Sequence, residues 1–208
     1  VNVFDVTLRM EAKAKEGEVS DVVLVMDRSG SMSSNNRMVK AKEAACSFAD
    51  TLLADGDQSK VQIGLVSYSN GATTDMGLTK DKEALKGKIN GLNPGGGTYT
   101  AKGIDAARDV LRNSQAKKKY IVLLSDGEPS DGQDGVTSAN AARQEGIVLY
   151  SIGLDTNQNT FNYLSQIANP GNAYEANPEN LQKVFQQIAG SIGSPIQEIK
   201  VTDVLGKG

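Results

Sequence analysis

The sequence predicts an α/β fold in which a mostly parallel, doubly wound sheet is covered by helices on both faces. Continuous apolar runs of strand length, such as residues 22–26 and 120–124, are typical of strands that are buried on both sides. These runs alternate with segments whose apolar residues recur at helical spacing. Together the two patterns indicate βαβ units, which build parallel sheets.

In the first half of the chain, strands are predicted over residues 21–27 and 61–68. A weaker extended segment near residues 73–78 leads through Thr79, which we predict as an N-cap, into a short helix. The helix after the first strand is indicated by apolar residues spaced three or four positions apart, which are Met38, Ala41, Ala45, Phe48 and Leu52.

In the second half, strands are predicted over residues 120–125 and 147–152, with a short extended piece near Tyr174. Counted with the first half, these segments predict a six-stranded sheet. Helices are expected between the strands, the first of them after the glycines at 95–97. The inner face of the last helix is predicted to consist of Leu181, Val184, Phe185, Ile188 and Ile192.

Composition limits the possible functions. The chain has 208 residues, 38% of them hydrophobic and 23% charged, which fits one domain with a substantial core. A net charge of -3 gives no general attraction to nucleic acid, and the basic run at residues 117–119 is expected to be a solvated loop. No stretch approaches the roughly 20 apolar residues of a membrane span, so we expect no membrane insertion.

Two residue types that often carry chemistry are scarce. The chain has no histidine, which removes the usual general base and the commonest zinc ligand. Its one cysteine, Cys46, cannot form an internal disulfide or a thiolate metal site by itself. A metal-dependent hydrolase would still need a base beside the cation. We therefore expect that the protein is not an enzyme.

Oxygen-bearing side chains occupy alternate positions at the end of the first predicted strand: Asp27, Ser29 and Ser31. One carboxylate and two hydroxyl groups are ligands of the type that hard divalent cations prefer. The other interpretation is an ordinary turn, in which the serines cap the helix that begins near Arg37.

Two further segments offer oxygen ligands. Thr98 follows three glycines, and Asp126 follows a predicted strand. Thr98 could instead be the N-cap of the helix that starts near Ala101, and the glycines could cradle a phosphate, although no Lys-Ser or Lys-Thr pair follows them. In a doubly wound sheet of order 3-2-1-4-5-6, the first and fourth strands are neighbours, so Asp27 and Asp126 would lie side by side.

The combination resembles the metal-ion-dependent adhesion site (MIDAS) of von Willebrand factor A domains, which are related to the inserted domains of integrins. The resemblance spans roughly residues 21–192. It implies a Rossmann-like fold and Mg²⁺ as the cofactor, with Mn²⁺ or Ca²⁺ as alternatives. The positions that match the family motif are Asp27, Ser29, Ser31, Thr98 and Asp126.

The resemblance also implies how the site works. Ser29, Ser31 and either Thr98 or Asp126 would hold the cation directly, while the other carboxylates act through water. A partner's Asp or Glu would complete the shell, because a cation held mostly by neutral hydroxyl groups keeps enough charge to attract an external carboxylate. The partner contacts that we predict at the rim of the site are Tyr68, Tyr99 and Glu128.

Both ends of the chain are expected to lie outside this domain. Residues 1–17 alternate in polarity, and residues 195–208 also carry spaced apolar side chains. We interpret them as extended β segments that pair with each other in a flanking β domain, with the metal-binding domain over residues 18–194 inserted between them. The alternative is a pair of frayed tails.

This arrangement is similar to that of tip adhesins of Gram-positive pili and related cell-wall proteins. It implies an extracellular module at the cell surface that binds a host or other extracellular protein through a cation and a partner carboxylate. The alternative is an intracellular assembly module, like the A-type domains of metal chelatases or cofactor-insertion complexes. We expect no nucleic-acid partner.

Overall fold

A six-stranded sheet with helices on both faces forms the part of the chain that the computed structural model describes, residues 19–129 and 135–193. The predicted α/β class is confirmed. The segments predicted as flanking β strands, residues 1–17 and 195–208, lie outside the described residues, so their assignment stays a prediction.

The strands alternate with helices along the chain. The strands are β1 (Ser20–Asp27), β2 (Val61–Tyr68), β3 (Ala72–Thr79), β4 (Lys118–Ser125), β5 (Ile147–Leu154) and β6 (Ala173–Ala176). The helices are α1 (Arg37–Leu52), α2 (Lys82–Asn90), α3 (Thr100–Leu111), α4 (Gly135–Gln144), α5 (Gln158–Ile167) and α6 (Leu181–Gly193). Among these helices, none combines the length and the apolar character that a membrane crossing requires.

The strand order is β3-β2-β1-β4-β5-β6, as predicted for a doubly wound sheet. Neighbouring strands are parallel except β2 and β3, which are antiparallel. β1 therefore lies in the centre of the sheet, and its last residue, Asp27, pairs in register with Tyr68 of β2. The order reverses between β1 and β4, so the carboxyl ends of these strands border the crevice where ligands bind in such sheets.

Each face of the sheet carries its own hydrophobic core. Helices α1, α2 and α6 pack on one face, against Val22, Leu24 and Met26 of β1. Helices α3, α4 and α5 cover the other face, against Val23 and Val25. Successive side chains of a strand point to opposite faces, so this double cover explains why the apolar run of β1 has no polar interruption.

One predicted cap is wrong. The N-cap of α2 is Asp81, whose Oδ1 accepts a hydrogen bond from the backbone N–H of Ala84 at 3.0 Å. Thr79 instead ends β3, and its hydroxyl oxygen accepts a hydrogen bond from the backbone N–H of Asp81 at 3.0 Å. Both residue types favour caps, and the end of β3 decides which of them reaches the helix.

Helix α3 lies directly against β1 and β2 at Gly103. A Cβ atom at this position would be 2.8 Å from Cδ1 of Tyr68 and 3.0 Å from Cγ1 of Val25. Tyr68 cannot move aside readily, because its side chain is fully buried and its hydroxyl group is hydrogen bonded to Asp27 and to the backbone oxygen of Leu124. Packing therefore requires a glycine here.

Replacing Gly103 by alanine is expected to lower the free energy of unfolding by about 1–3 kcal/mol, the usual cost of overpacking a core. Gly87 in α2 is a matched control, because a Cβ atom there would meet nothing within 4 Å. Gly87→Ala is expected to raise the free energy of unfolding by about 0.5–1 kcal/mol, since alanine is the better helix former. Urea denaturation measures both changes, and effects of the same sign would contradict this packing account.

Candidate metal centre

Asp27, the last residue of β1, carries a buried carboxylate at the carboxyl edge of the sheet. Its Oδ1 accepts a hydrogen bond from the backbone N–H of Ser29 at 2.7 Å. Its Oδ2 accepts hydrogen bonds from the hydroxyl groups of Ser125 at 2.7 Å and Tyr68 at 3.3 Å. Burial raises the pKa of Asp27 to about 6, although the hydrogen bonds from Ser29 and Ser125 act to lower it. Both oxygens are therefore held in place by the protein.

The hydroxyl oxygens of Ser29 and Ser31 lie 3.0 Å apart. Ser31 Oγ also donates a hydrogen bond to Oδ1 of Asp126 at 2.8 Å. Because an ionised carboxylate can only accept, Ser31 gives its proton to Asp126 and accepts the proton of Ser29. Ser29 is buried and Ser31 is exposed, so this cluster of oxygens opens to solvent at Ser31.

The capping interpretation of these hydroxyl groups is wrong. The N-cap of α1 is Asn36, so neither serine occupies that position. Ser29 precedes the short 3-10 helix Gly30–Ser33, but its side chain makes no cap hydrogen bond. The N-cap of α3 is Tyr99 rather than Thr98.

Asp126 follows β4 directly, and both of its carboxylate oxygens are engaged. Oδ1 accepts the hydrogen bond from Ser31, and Oδ2 accepts one from Nη1 of Arg37 at 3.0 Å. The side chain of Asp126 is 0% exposed. Asp27 and Asp126 are remote in sequence, but they meet at one edge of the sheet because β1 and β4 are neighbours.

Arg37 belongs to this cluster although the sequence motif does not include it. It is the first residue of α1, and its Nε donates a hydrogen bond to Oδ2 of Asp155 at 3.1 Å. Burial acts to lower the pKa of Arg37, but the hydrogen bond to Asp155 and the charge of Asp126 outweigh burial and raise it. The one signal in the sequence that could have indicated this role is a basic residue in the first turn of a helix, where the helix dipole disfavours a cation.

Backbone hydrogen bonds join the glycine-rich loop to the loop that carries the serines. The N–H of Gly95 donates to the oxygen of Arg28 at 2.7 Å, and the N–H of Gly30 donates to the oxygen of Gly96 at 2.9 Å. Gly96 has a φ of +87°, a conformation that favours glycine. Thr98, which is buried, continues this loop, so the predicted segment that contains Thr98 lies against the serine loop.

The donor set suits a hard divalent cation. Adjacent ligands of octahedral Mg²⁺ lie about 2.9 Å apart, because the ion–ligand distance is about 2.0–2.1 Å. The 3.0 Å between the two serine oxygens and the 2.8 Å between Ser31 Oγ and Asp126 Oδ1 are close to this spacing. Within residues 19–129 and 135–193, no group of three or more His, Cys, Asp or Glu side chains could hold a metal ion, so a cation here would depend on hydroxyl ligands.

The prediction that Tyr68 lines the rim is wrong. Its side chain is 0% exposed, and its hydroxyl group donates inward to Asp27. Burial, together with the charge of Asp27, holds the pKa of Tyr68 well above its usual value. The reason is its register: Tyr68 ends β2 directly beside Asp27, so α3 covers its ring.

The other two predicted rim residues are accessible. Tyr99 is half-buried, and Nζ of Lys102 lies 4.5 Å from the centre of its ring. Glu128 is exposed after β4, and its Oε1 lies 3.5 Å from Oγ1 of Thr160. Their role as partner contacts stays a prediction.

A family model for the von Willebrand factor type A domain matches residues 21–187. The minor fimbrium subunit Mfa5 of Porphyromonas gingivalis is 39% identical over 129 residues, which are 61% of this chain and 10% of that protein. A UPF0353 protein of Mycolicibacterium paratuberculosis is 32% identical over 160 residues, which are 68% of this chain and 46% of that protein. The chain therefore spans less than half the length of either relative.

Solved structures have the same fold at low sequence identity. The vWF domain of the type V pili tip protein Mfa5 from P. gingivalis has a TM-score of 0.82 at 22% identity, covering 91% of this chain and 100% of that chain. The pilus adhesin SpaC from Lactobacillus rhamnosus GG has a TM-score of 0.73 at 19% identity, covering 89% and 34%. Proximal thread matrix protein 1 from the mussel byssus, with a zinc-occupied MIDAS motif, has a TM-score of 0.69 at 22% identity, covering 83% and 46%.

Removing a side chain that donates a hydrogen bond to the buried Asp27 carboxylate is expected to lower the free energy of unfolding. The loss should be larger for the stronger hydrogen bond. Ser125→Ala removes the 2.7 Å bond and is expected to cost about 1.5–3 kcal/mol, the range for hydrogen bonds to charged groups. Tyr68→Phe removes the 3.3 Å bond and is expected to cost less. Urea denaturation in the presence of a chelator measures both costs, and a larger loss for Tyr68→Phe would contradict the assignment of Ser125 as the stronger donor.

Proposed function

We propose that this chain, which belongs to the von Willebrand factor type A domain family, is a cell-surface adhesion module that binds an extracellular protein through a divalent cation. One observation carries the proposal. Oxygen-bearing side chains from the ends of β1 and β4 lie within hydrogen-bond distance of one another, and the cluster opens to solvent at the exposed Ser31.

The residues have different roles in this proposal. Ser29 and Ser31 supply direct ligands through their hydroxyl oxygens, and either Thr98 or Asp126 supplies a third. Asp27 holds the serine loop through the backbone N–H of Ser29 and contributes negative charge, because its own oxygens already accept hydrogen bonds from the protein. Mg²⁺ is the proposed cofactor, with Mn²⁺ or Ca²⁺ as alternatives; when bound, it supplies a positive centre that can accept a partner's carboxylate.

The chemistry of the ligand set explains why the partner should be acidic. Hydroxyl ligands are neutral, so they do not cancel the charge of a divalent cation. The exposed position of Ser31 leaves the outward side of the cluster accessible. An Asp or Glu of an extracellular protein would therefore gain both a metal–oxygen bond and a favourable charge interaction.

Similarity to pilus proteins supports a surface location. Mfa5 is described as a pili tip protein and SpaC as a pilus adhesin, and both contain this fold. An extracellular module of a pilus or cell wall is therefore our proposal, and a Gram-positive origin remains part of it. The module is not proposed to be an enzyme, because the chain has no histidine to act as a base beside the cation.

The UPF0353 relative keeps a second candidate open, an intracellular assembly module of the chelatase or cofactor-insertion type. The same metal site would then join subunits of a complex instead of two surfaces. The flanking sequence of the parent protein separates the two: a secretion signal and a wall-sorting signal would favour adhesion, whereas a neighbouring ATPase would favour assembly.

Mg²⁺ is expected to bind the chain and to raise its unfolding temperature, because a ligand that binds only the folded state stabilises it. Ser31→Ala is expected to weaken Mg²⁺ binding by at least about tenfold, since it removes a direct ligand. Ser34→Ala is the matched control, because Ser34 is exposed on the same loop but outside the cluster. Isothermal titration calorimetry measures the affinities, and equal Mg²⁺ binding by the Ser31→Ala variant and the wild type would contradict the assigned site.

Binding to an extracellular protein is expected to require both the cation and a carboxylate. Surface plasmon resonance against collagen, fibrinogen and fibronectin, in Mg²⁺ and then in chelator, tests the first requirement. Amidation of the carboxyl groups of any protein that binds tests the second and is expected to abolish the signal. Binding that survives chelator or amidation would be inconsistent with a metal-bridged carboxylate.

A further inference from the structure

We infer that Arg37 is a positioning residue that fixes and compensates the carboxylate of Asp126 and so disfavours its direct contact with the cation, so that the cation keeps its capacity for a partner's carboxylate. This inference rests on the proposed metal site. It favours Thr98 over Asp126 as the third direct ligand of the cation. It is carried by the placement of Arg37, by the way it shares Asp126 with Ser31, and by its second anchor on Asp155.

The placement of Arg37 is unfavourable on local grounds. It is the first residue of α1, where the positive end of the helix dipole repels a cation. The two residues before it, Asn35 and Asn36, both adopt the left-handed conformation, with φ of 51° and 57°. Asparagine tolerates this conformation better than most residues other than glycine, so the two residues turn the chain sharply into α1.

Both carboxylate oxygens of Asp126 accept hydrogen bonds from these side chains. Arg37 Nη1 donates to Oδ2 at 3.0 Å, and Ser31 Oγ donates to Oδ1 at 2.8 Å. Each oxygen keeps a second lone pair, but the negative charge that Asp126 would offer the cation as a direct ligand is compensated by the guanidinium group of Arg37. The ion pair is shielded from water, with side-chain exposures of 16% and 0%, so it is harder to break than a surface pair.

Asp155 prevents Arg37 from turning away. Its Oδ2 accepts a hydrogen bond from Nε of Arg37 at 3.1 Å, so the two ends of the planar guanidinium group are held by different carboxylates. Asp155 follows β5 with a φ of 51°, a further left-handed residue at this edge of the sheet. It also lines a polar cavity of about 290 Å³ with Glu175 and Asn177, where solvent can reach its charge.

The consequence concerns the charge at the metal site. With the carboxylate of Asp126 compensated by Arg37, the nearest protein ligands are the neutral hydroxyl groups of Ser29 and Ser31. A cation held in this way keeps more uncompensated charge than one that binds Asp126 directly. Arg37 therefore makes the site weaker for the metal and stronger for an external carboxylate.

Replacing Arg37 by methionine tests this role with Mn²⁺ as the probe. Arg37→Met keeps much of the side-chain volume but removes the charge that compensates Asp126, so Mn²⁺ should bind about tenfold tighter, because a site with more negative ligand charge binds a cation more tightly, and it should lose one rapidly exchanging water to the carboxylate. Electron paramagnetic resonance measures the affinity, and water-proton relaxation counts the exchanging waters. A purely structural role for Arg37 would instead weaken Mn²⁺ binding.

Arg28→Met is the matched control. Arg28 lies between Asp27 and Ser29, and its Nε donates to Oγ of Ser67 at 3.2 Å rather than to a carboxylate. Its replacement removes the same charge close to the site but leaves the Arg37–Asp126 ion pair intact, so the affinity and the water count should change little. Equal changes in Arg28→Met and Arg37→Met would overturn the inference, because they would reflect only the loss of charge.

A second variant keeps the test decisive if Arg37→Met fails to fold. Arg37→Lys retains the charge but cannot bridge two carboxylates, so it is expected to bind Mn²⁺ more tightly than the wild type, by less than about tenfold. Affinities and water counts equal to the wild type in both Arg37 variants would overturn the positioning role alone. Failure of the wild type to bind Mn²⁺ or Mg²⁺ would overturn the metal site itself, and the inference with it.

Discussion

The buried carboxylate of Asp27 is the constraint on which the rest of this site depends. A desolvated carboxylate is costly unless hydrogen bonds compensate it, and here the donors come from the serine loop, from the end of β2 and from the end of β4. One charge thus joins three segments that are remote in sequence. Because β1 is central in the sheet, this point of attachment lies where the strand order reverses.

The polar groups around Asp27 form a connected network. Ser29 donates to Ser31, Ser31 donates to Asp126, and Asp126 also accepts from Arg37, which reaches on to Asp155. Each hydrogen bond fixes the orientation of the next group, so the hydroxyl oxygens are already close together. Such preorganisation would lower the entropic cost of binding the proposed cation between them. It also links the loops after β1, β4 and β5 into one surface.

The fold alone does not decide what this surface binds. A TM-score of 0.82 at 22% identity to the vWF domain of Mfa5 shows a shared architecture, and similar architectures serve different functions. The identity of the partner depends on the residues around the oxygen cluster and on the domains that flank this one. Of the predicted rim contacts, the structure leaves Tyr99 and Glu128 accessible and removes Tyr68.

The sequence by itself indicated the α/β class and the oxygen-bearing side chains at the strand ends, because apolar periodicity and strand-end motifs are local and survive in any compact arrangement of the chain. The same reasoning placed the inner face of α6 correctly, since all five of its predicted residues are buried. Only the tertiary structure decided that Tyr68 turns inward, that Asp81 rather than Thr79 caps α2, and that Arg37 lies between Asp126 and Asp155. These contacts depend on register and on side-chain directions across the sheet edge, and no pattern within one segment carries that information.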